Sequence, residues 1–487
     1  MPREAEIAVV GAGAAGLYAT LCAARAGARA VLISATPLAQ TASYWAQGGL
    51  AAALAADDSA QQHLSDTELA GRGLVRTSAA EVLVREAPGC VSDLQALGVR
   101  FDADRFGRLA LGLEGGHSVR RVVHAGGSAT GRRLVRQLSA LAVKEELVTV
   151  LENTRARSLW LHEGRCRGVI CDDAELVAAR AVVIATGGAA ALWARTTNPP
   201  GSQGVGMLLA HAAGASLADL ELLQFHPTAV VGVRGREGFL ITEAIRGEGA
   251  TLHDASGERF VDELAPRDEV SRAIQARLLE SGQASVGLDM RAIDPALFPN
   301  VVTALRQAGL DPARELIPVA PAAHYMMGGI VVDLHAHSAV AGLYAVGEAS
   351  STGLHGANRL ASNSLSECFV FARRAVAHAL SEPPAAARRP GGRELAQLLA
   401  APPPPAATEA TRAALWRHAG IERSHDGLSS LLDDPHPLAR LIARCALERR
   451  ESRGAHARSD YPELDPALDR RHVVVDDAGE LDWQRWD

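Results

Sequence analysis

I-A-V-V-G-A-G-A-A-G, residues 7–16, decides the fold of this 487-residue chain. Ile7 to Val10 reads as a short buried strand, and Gly11, Gly13 and Gly16 follow it at G-x-G-x-x-G spacing. The pattern predicts an apolar helix from about Leu17 to Ala26, ended by Gly27, and a second parallel strand at Ala30-Val-Leu-Ile33. This is a β-α-β unit in roughly 30 residues, the setting in which such glycines signal a dinucleotide site. The first two glycines permit a tight turn and close approach of the backbone to a pyrophosphate. Gly16 lets helix and strand pack closely, and the helix start offers N–H donors and a positive dipole end. Ala12, Ala14 and Ala15 complete the loop. One departure is Ser34, which stands where an Asp or Glu usually holds a ribose; a hydroxyl is able to do that job, but the fingerprint is weakened there.

Outward from this unit, Ala181 to Gly188 reads as a buried strand running into a glycine turn. Ala341 to Glu348 reads as another, ending in a carboxylate. Strands this far apart in one sheet imply an insert, expected from about Leu220 to Ala323 and carrying His226, Thr242, Glu243, Arg246 and Arg267. After about Pro383 the composition turns to Pro, Ala and Arg, with Pro402 to Pro405 consecutive, as in a stiff linker. Thr408 to about Glu451 then shows helical periodicity through Leu415, Leu428, Leu431, Leu441 and Leu447.

Composition excludes several classes. With 48% hydrophobic and 22% charged residues the chain is neither disordered nor collagen-like. A net charge of −7 gives no electrostatic footprint for nucleic acid. Lys144 is the only lysine and no glycines precede it, which argues against a P-loop or a lysine Schiff base. The six cysteines form no C-x-x-C pair, so no metal site is expected, and a reduced, cytoplasmic protein is. Ile7 to Ala24 carries no charge and imitates a signal peptide, but Glu4, Glu6 and the spaced glycines argue against one. No membrane association is expected.

Ten motifs, in order along the chain, carry a family resemblance. They are G-A-G-A-A-G (11–16), A-Q-G-G (46–49), E-G-G-H-S-V-R-R (114–121), A-T-G-G (185–188), Q-F-H-P-T (224–228), T-E-A-I-R-G-E-G-A (242–250), E-L-A-P-R-D (263–268), A-A-H-Y-M-M-G-G-I (322–330), G-L-H-G-A-N-R-L-A-S-N-S-L (353–365) and E-S-R-G-A-H (451–456). Together the sequence resembles the flavoprotein subunits of succinate dehydrogenase and fumarate reductase, and within them the branch that oxidises L-aspartate. The resemblance implies an α/β, Rossmann-like FAD-binding domain in two parts, 1–219 and 324–390, with an inserted α+β capping domain at 220–323 and a C-terminal helical domain at 408–487. It implies FAD contacts from Gly11, Ala12, Gly13, Ala14, Ala15, Gly16, Ser34, Ser43, Ala46, Gln47, Gly48, Gly49, Thr186, Gly187, Glu348, Ser364 and Leu365. Three family features are missing. The histidine that attaches FAD covalently in membrane-bound relatives is Ala42 here, S-Q-G-V-G lacks an Asp near Val205, and Ala35 stands where a lysine is common.

A four-carbon dicarboxylate needs fork-shaped cationic partners for both ends. By resemblance His226, His324 and Arg359 hold the carboxylates, Thr242, Glu243 and Gln224 line the site, and Arg267 transfers a proton. Arg246, Gln224 and Glu243 read equally well as members of buried salt bridges or loop hydrogen bonds. Glu114 offers a partner for an ammonium, which aspartate has and succinate lacks; the alternative is a loop carboxylate bridging Arg120 or Arg121. The implied reaction is FAD-dependent oxidation of L-aspartate to iminoaspartate, with oxygen or fumarate as acceptor, opening NAD biosynthesis and handing product to quinolinate synthase. The alternatives are a soluble fumarate reductase or succinate oxidase, and a non-catalytic flavin-binding protein. Because Ala42 offers no attachment point, acid precipitation is expected to release all yellow colour to the supernatant. Flavin retained in the pellet would contradict a noncovalent cofactor.

Overall fold

The computed structural model describes residues 3–382 and 390–487, so Pro383, where the linker is expected to open, lies outside the described residues. The glycine unit forms as read. Arg3–Val10 pairs in parallel with Ala30–Ile33, Ile7 opposite Ala30 and Val10 opposite Ile33. The helix begins earlier than expected, at Ala14, and runs to Arg25, because the last glycine of the motif already lies within its first turn.

The sheet extends from this pair in both directions. Val148–Leu151 adds in parallel beside Ala30–Ile33, and Leu176–Ile184 beside Arg3–Val10, with Leu343–Ala345 next to it. Arg165–Cys171 and Ala156–His162 continue it antiparallel. Parallel strands covered on both faces are apolar throughout, and alternate side chains serve different cores. Ile7, Val9 and Leu32 pack with Leu17 and Phe369 under the helices Ala14–Arg25 and Asn363–Ser381. Ala8, Val10 and Ile33 face the other way, toward Leu415, Leu428 and Leu441 of the C-terminal helices.

The insert has its own sheet, entirely antiparallel, in the order Leu223–Val230, Ile317–Met326, Val286–Asp289 and Thr251–His253. The helix Arg267–Ser281 packs on it through Val270 and Ile274, with Leu252, Leu288 and Val319 in the same core. The architecture is thus a Rossmann-like α/β domain with an inserted α+β domain and a helical C-terminal region, Glu409–His418, His425–Ser429 and Pro437–Glu448. The chain then ends in a hairpin, Arg471–Val475 with Leu481–Arg485, which joins Leu217–Ala218 in a further sheet. Among the described residues no helix is long and apolar enough to cross a membrane.

The C-terminal region is tied down by buried ions. Arg449 Nε donates to Glu221 at 2.7 Å and its Nη1 to Glu451 at 3.0 Å, while Arg453 grips Glu451 with two bonds of 2.8 and 2.9 Å. His472 meets Asp219 at 2.6 Å and stacks on Trp486 at 4.0 Å. The Trp483 indole donates to Glu448, so both tryptophans anchor the tail. Removing one partner strands the others in a dry interior. Arg449→Met is therefore expected to cost about 3–5 kcal/mol in urea unfolding, far more than removing an exposed arginine such as Arg85.

Candidate functional site

At the C-terminal edge of the parallel strands the chain leaves a strip with almost no side chains. Gly11 sits at φ +111°, and a Cβ there would overlap the Ala185 carbonyl oxygen. A Cβ at Gly16 would overlap the Gly11 carbonyl in turn. Ser43 Oγ accepts the Ala14 N–H at 3.0 Å and closes one side of the helix start. Ala12, Ala14 and Ala15 are buried beneath the strip. Ser34 Oγ donates to the Thr36 carbonyl at 2.6 Å, which leaves its lone pairs as acceptors.

The other motifs converge on this edge. Ala185 N donates to Val10 O at 2.7 Å and sets the A-T-G-G turn beside Gly11. Thr186 Oγ1 is buried without a partner among the described residues, a group that requires one. Gly187 turns at φ +77°, and a Cβ at Gly188 would overlap the Glu348 carboxyl. Burial pushes the Glu348 carboxyl up to about 7. In the A-Q-G-G loop, Ala46 O accepts Gly131 N–H at 3.0 Å. The Gln47 amide donates to Leu240 O at 2.5 Å and accepts Thr242 N–H at 3.1 Å, joining the loop to the insert. Gly49 N donates to Ser362 Oγ at 3.1 Å. A bare glycine strip, the N-terminus of the helix Ala14–Arg25 and an orphaned buried hydroxyl fit a dinucleotide.

Beside the strip lies a polar cluster built across both domains. Gln224 and His226 come from Leu223–Val230, and His324 from its neighbour Ile317–Met326. The two imidazoles lie 5.0 Å apart between ring centres. His226 Nδ1 accepts Thr228 N–H at 3.2 Å, and His324 Nδ1 meets the Thr197 hydroxyl at 2.8 Å. Gln224 Oε1 accepts from Arg267 at 3.0 Å and from Arg359 at 3.1 Å, and Arg359 also donates to Ser364 Oγ at 3.0 Å. Glu243 pairs with Arg267 at 2.6 Å and with Arg246 at 2.9 Å. Arg246 Nη1 also donates to Glu263 O, so two of its nitrogens are engaged within the insert. Leu365 belongs to the core under the helix Asn363–Ser381.

Burial, then Arg267 and His324, hold His226 well below the usual imidazole range; burial, Arg267 and Arg359 do the same to His324. Burial, with Arg267 opposite, pulls Arg359 down to about 10. The cluster thus presents guanidiniums and neutral imidazoles, a setting suited to anions.

Glu114 does not bridge Arg120 or Arg121. Arg120 pairs with Glu248, and Arg121 with Asp58 and Asp66. Glu114 instead accepts Ser362 Oγ–H at 2.7 Å and lies 3.3 Å from His124 Nε2. Burial would raise its carboxyl, but His124, Ser362 and Arg267 outweigh that and hold it at about 2. A Cβ at Gly48 would sit 3.6 Å from Glu114 Oε1, so the carboxylate borders the A-Q-G-G loop. Ser362 and His124 went unread as partners of Glu114. Ser362 stands at φ +63°, a left-handed position that no local pattern announces.

A family profile described as "FAD binding domain" matches residues 6–365, and one described as "Fumarate reductase flavoprotein C-term" matches 430–485. The L-aspartate oxidase of Caulobacter vibrioides is 43% identical over 96% of this chain and 96% of its own length. That of Agrobacterium fabrum is 41% identical over 98% of this chain and 95% of its own. Among solved structures, a quinol-fumarate reductase with menaquinol molecules superimposes with a TM-score of 0.90 at 28% identity, covering 100% of this chain and 98% of that one. The chain belongs to the L-aspartate oxidases, within the flavoprotein family of succinate dehydrogenase and fumarate reductase, and its cofactor is FAD.

The two depressed imidazoles generate a pH prediction. A dianion beside them raises their proton affinity above that of the empty site, so binding takes up protons. Affinity for succinate should therefore increase as pH falls from 8 to 6, with proton uptake visible by calorimetry, and His226→Gln should flatten the dependence. A pH-independent succinate affinity would contradict this.

Proposed function

We propose that this protein oxidises L-aspartate to iminoaspartate, with oxygen or fumarate as the final acceptor. The observation that carries the reading is Glu114, an ionised buried carboxylate beside a cluster otherwise suited to carboxylate ligands. Succinate brings nothing for that charge to meet, whereas the aspartate ammonium forms a charge-assisted contact with it. FAD, when bound, supplies the two-electron acceptor for the hydride leaving Cα.

His226, His324 and Arg359 hold the two substrate carboxylates, and Thr242 and Gln224 line the remaining wall. Arg246 aims Glu243, and Glu243 aims Arg267; the 2.6 Å and 2.9 Å pairs support that order. Toward the cofactor, Gly11 to Gly16 take the pyrophosphate and Ser34 the ribose. Ser43, Ala46 to Gly49, Ser364 and Leu365 border the flavin, with Thr186, Gly187 and Glu348 along the linking chain. The domain limits 1–219, 220–323, 324–390 and 408–487 accompany this reading; the separate sheet of the insert supports the insertion, while its strand Ile317–Met326 runs three residues past 323. Iminoaspartate hydrolyses in water to oxaloacetate and ammonia, so a cytoplasmic quinolinate synthase acting promptly on it is the fitting consumer, in the first step of NAD biosynthesis.

The test is anaerobic addition of L-aspartate to the purified holoenzyme, expected to bleach the visible flavin band and yield oxaloacetate and ammonia. A flavin bleached only by succinate, or by neither, overturns the reading. In the reducing direction the Arg267 guanidinium donates a proton to the fumarate carbon, a contribution typically worth about 10²–10⁴-fold. Arg267→Leu should lose fumarate reduction by about that factor while still binding FAD and succinate.

A further inference from the structure

Oxidation of an amino acid removes a hydride from Cα and a proton from the nitrogen. An ammonium has no lone pair with which to form the C=N bond, so one N–H proton must depart before or with the hydride. The receiver must lie near the nitrogen and reach water. Glu114 adjoins the nitrogen in the reaction proposed above, on which this inference rests, but its side chain is only 1% exposed. At about 2 its carboxyl also does not keep a proton.

The geometry points to His124 as the group that receives this proton through Glu114 and delivers it to solvent. Its Nε2 lies 3.3 Å from Glu114 Oε1, and its side chain is 14% exposed. The pair therefore spans from the dry site to water. The other carboxylate oxygen, Oε2, is fixed by Ser362, whose Oγ in turn holds Gly49 N–H, so Oε1 keeps its aim. His226 and His324 are unsuited to the task. Each has Nδ1 engaged, and both face guanidiniums that oppose a further positive charge.

In the step, an ammonium proton passes to the Glu114 carboxylate and one passes on from it to His124 Nε2. The electron pair left on nitrogen forms the C=N bond as hydride leaves Cα to the two-electron acceptor already named. His124 then loses its proton to solvent. The charged and titratable groups on the Glu114 side are Arg267 and His117, whose imidazole burial holds below its usual range. On the His124 side stands Asp102, whose N–H donates to His124 O at 2.8 Å and whose carboxylate holds Gly126 and Gly127 N–H. None of these offers another outlet from Glu114.

The experiment measures the rate of anaerobic flavin bleaching by L-aspartate from pH 5 to 8, the interval in which imidazoles change charge. It uses wild type, His124→Gln and His124→Asn. Wild type should rise with pH. The variants should lose that rise and fall by about 10²-fold at pH 8, with FAD content, succinate affinity and fumarate reduction little changed. A second readout needs no turnover. Calorimetry in buffers of different ionisation heat compares 2-methylaspartate, which keeps the ammonium but lacks the Cα hydrogen, with succinate. Wild type should release more protons with 2-methylaspartate, and His124→Gln should abolish the difference. A rise that survives in the variants, or a wild type showing neither the rise nor the difference, overturns the role of His124 alone. A wild-type flavin that aspartate does not bleach overturns the proposed function and this inference together.

Discussion

A single amide oxygen, Gln224 Oε1, accepts hydrogen bonds from both Arg267 and Arg359. These guanidiniums come from different domains. Arg267 opens the insert's helix Arg267–Ser281, and Arg359 precedes the helix Asn363–Ser381 of the Rossmann-like domain. Two like charges brought together in a buried place repel, and the lowering of Arg359 to about 10 by burial and by Arg267 records it. What holds them is a set of one-sided braces. Glu243 anchors Arg267, while Arg359 lies 4.4 Å over the Tyr325 ring. The insert and the main domain must therefore meet at this point, and Gln47 repeats the link on the side of Leu240 and Thr242.

The outer face of the insert is braced by the C-terminal region. Arg272, on the insert's helix, donates to Gly454 O at 2.6 Å, and Asp268 on the same helix pairs with Arg72. Behind Gly454 stands the network of Arg449, Arg453, Glu451 and Glu221. Hydrophobic packing could close such an interface more cheaply, because desolvated ions return little net stability. A buried ion network does reject a shifted register, since any slip leaves charges unpaired. The E-S-R-G-A-H segment thus affects the site without touching it: it holds the helix whose first residue is Arg267.

What was legible follows from the range of the interactions. The glycine unit could be read because its strands, turn and helix are contiguous, and the imprecise helix start moved only one turn of the chain. The ordered motifs located the residues of the polar cluster. Ala156–His162 and Arg165–Cys171 went unread because A-R-S-L-W-L-H and R-C-R-G-V-I-C mix charged residues into short strands at a sheet edge. The hairpin Arg471–Arg485 was hidden behind helical periodicity that ends some twenty residues before it. Glu114 was read as chemistry, but its partners could not be: Ser362 lies 248 residues away, and His124 lies ten residues on in a stretch with no motif of its own.

Two buried carboxyls show why position alone does not assign a role. Glu348 and Glu114 are both enclosed, yet burial drives one up to about 7 while the other is held at about 2. The difference lies in what each can reach. Glu348 meets the Met326 N–H at 2.9 Å and the bare Gly188, with no cation bonded to it among the described residues. Glu114 has a hydroxyl and an imidazole in contact, with a guanidinium beyond. At neutral pH the first carries partial charge and the second a full one, so only the second is a firm counter-ion. In the reaction proposed above, the carboxylates of an amino dicarboxylate are drawn to Arg359 and the two imidazoles, and its ammonium to Glu114. On that proposal, the asymmetry of charge turns the amine toward the A-Q-G-G loop, which Glu114 borders.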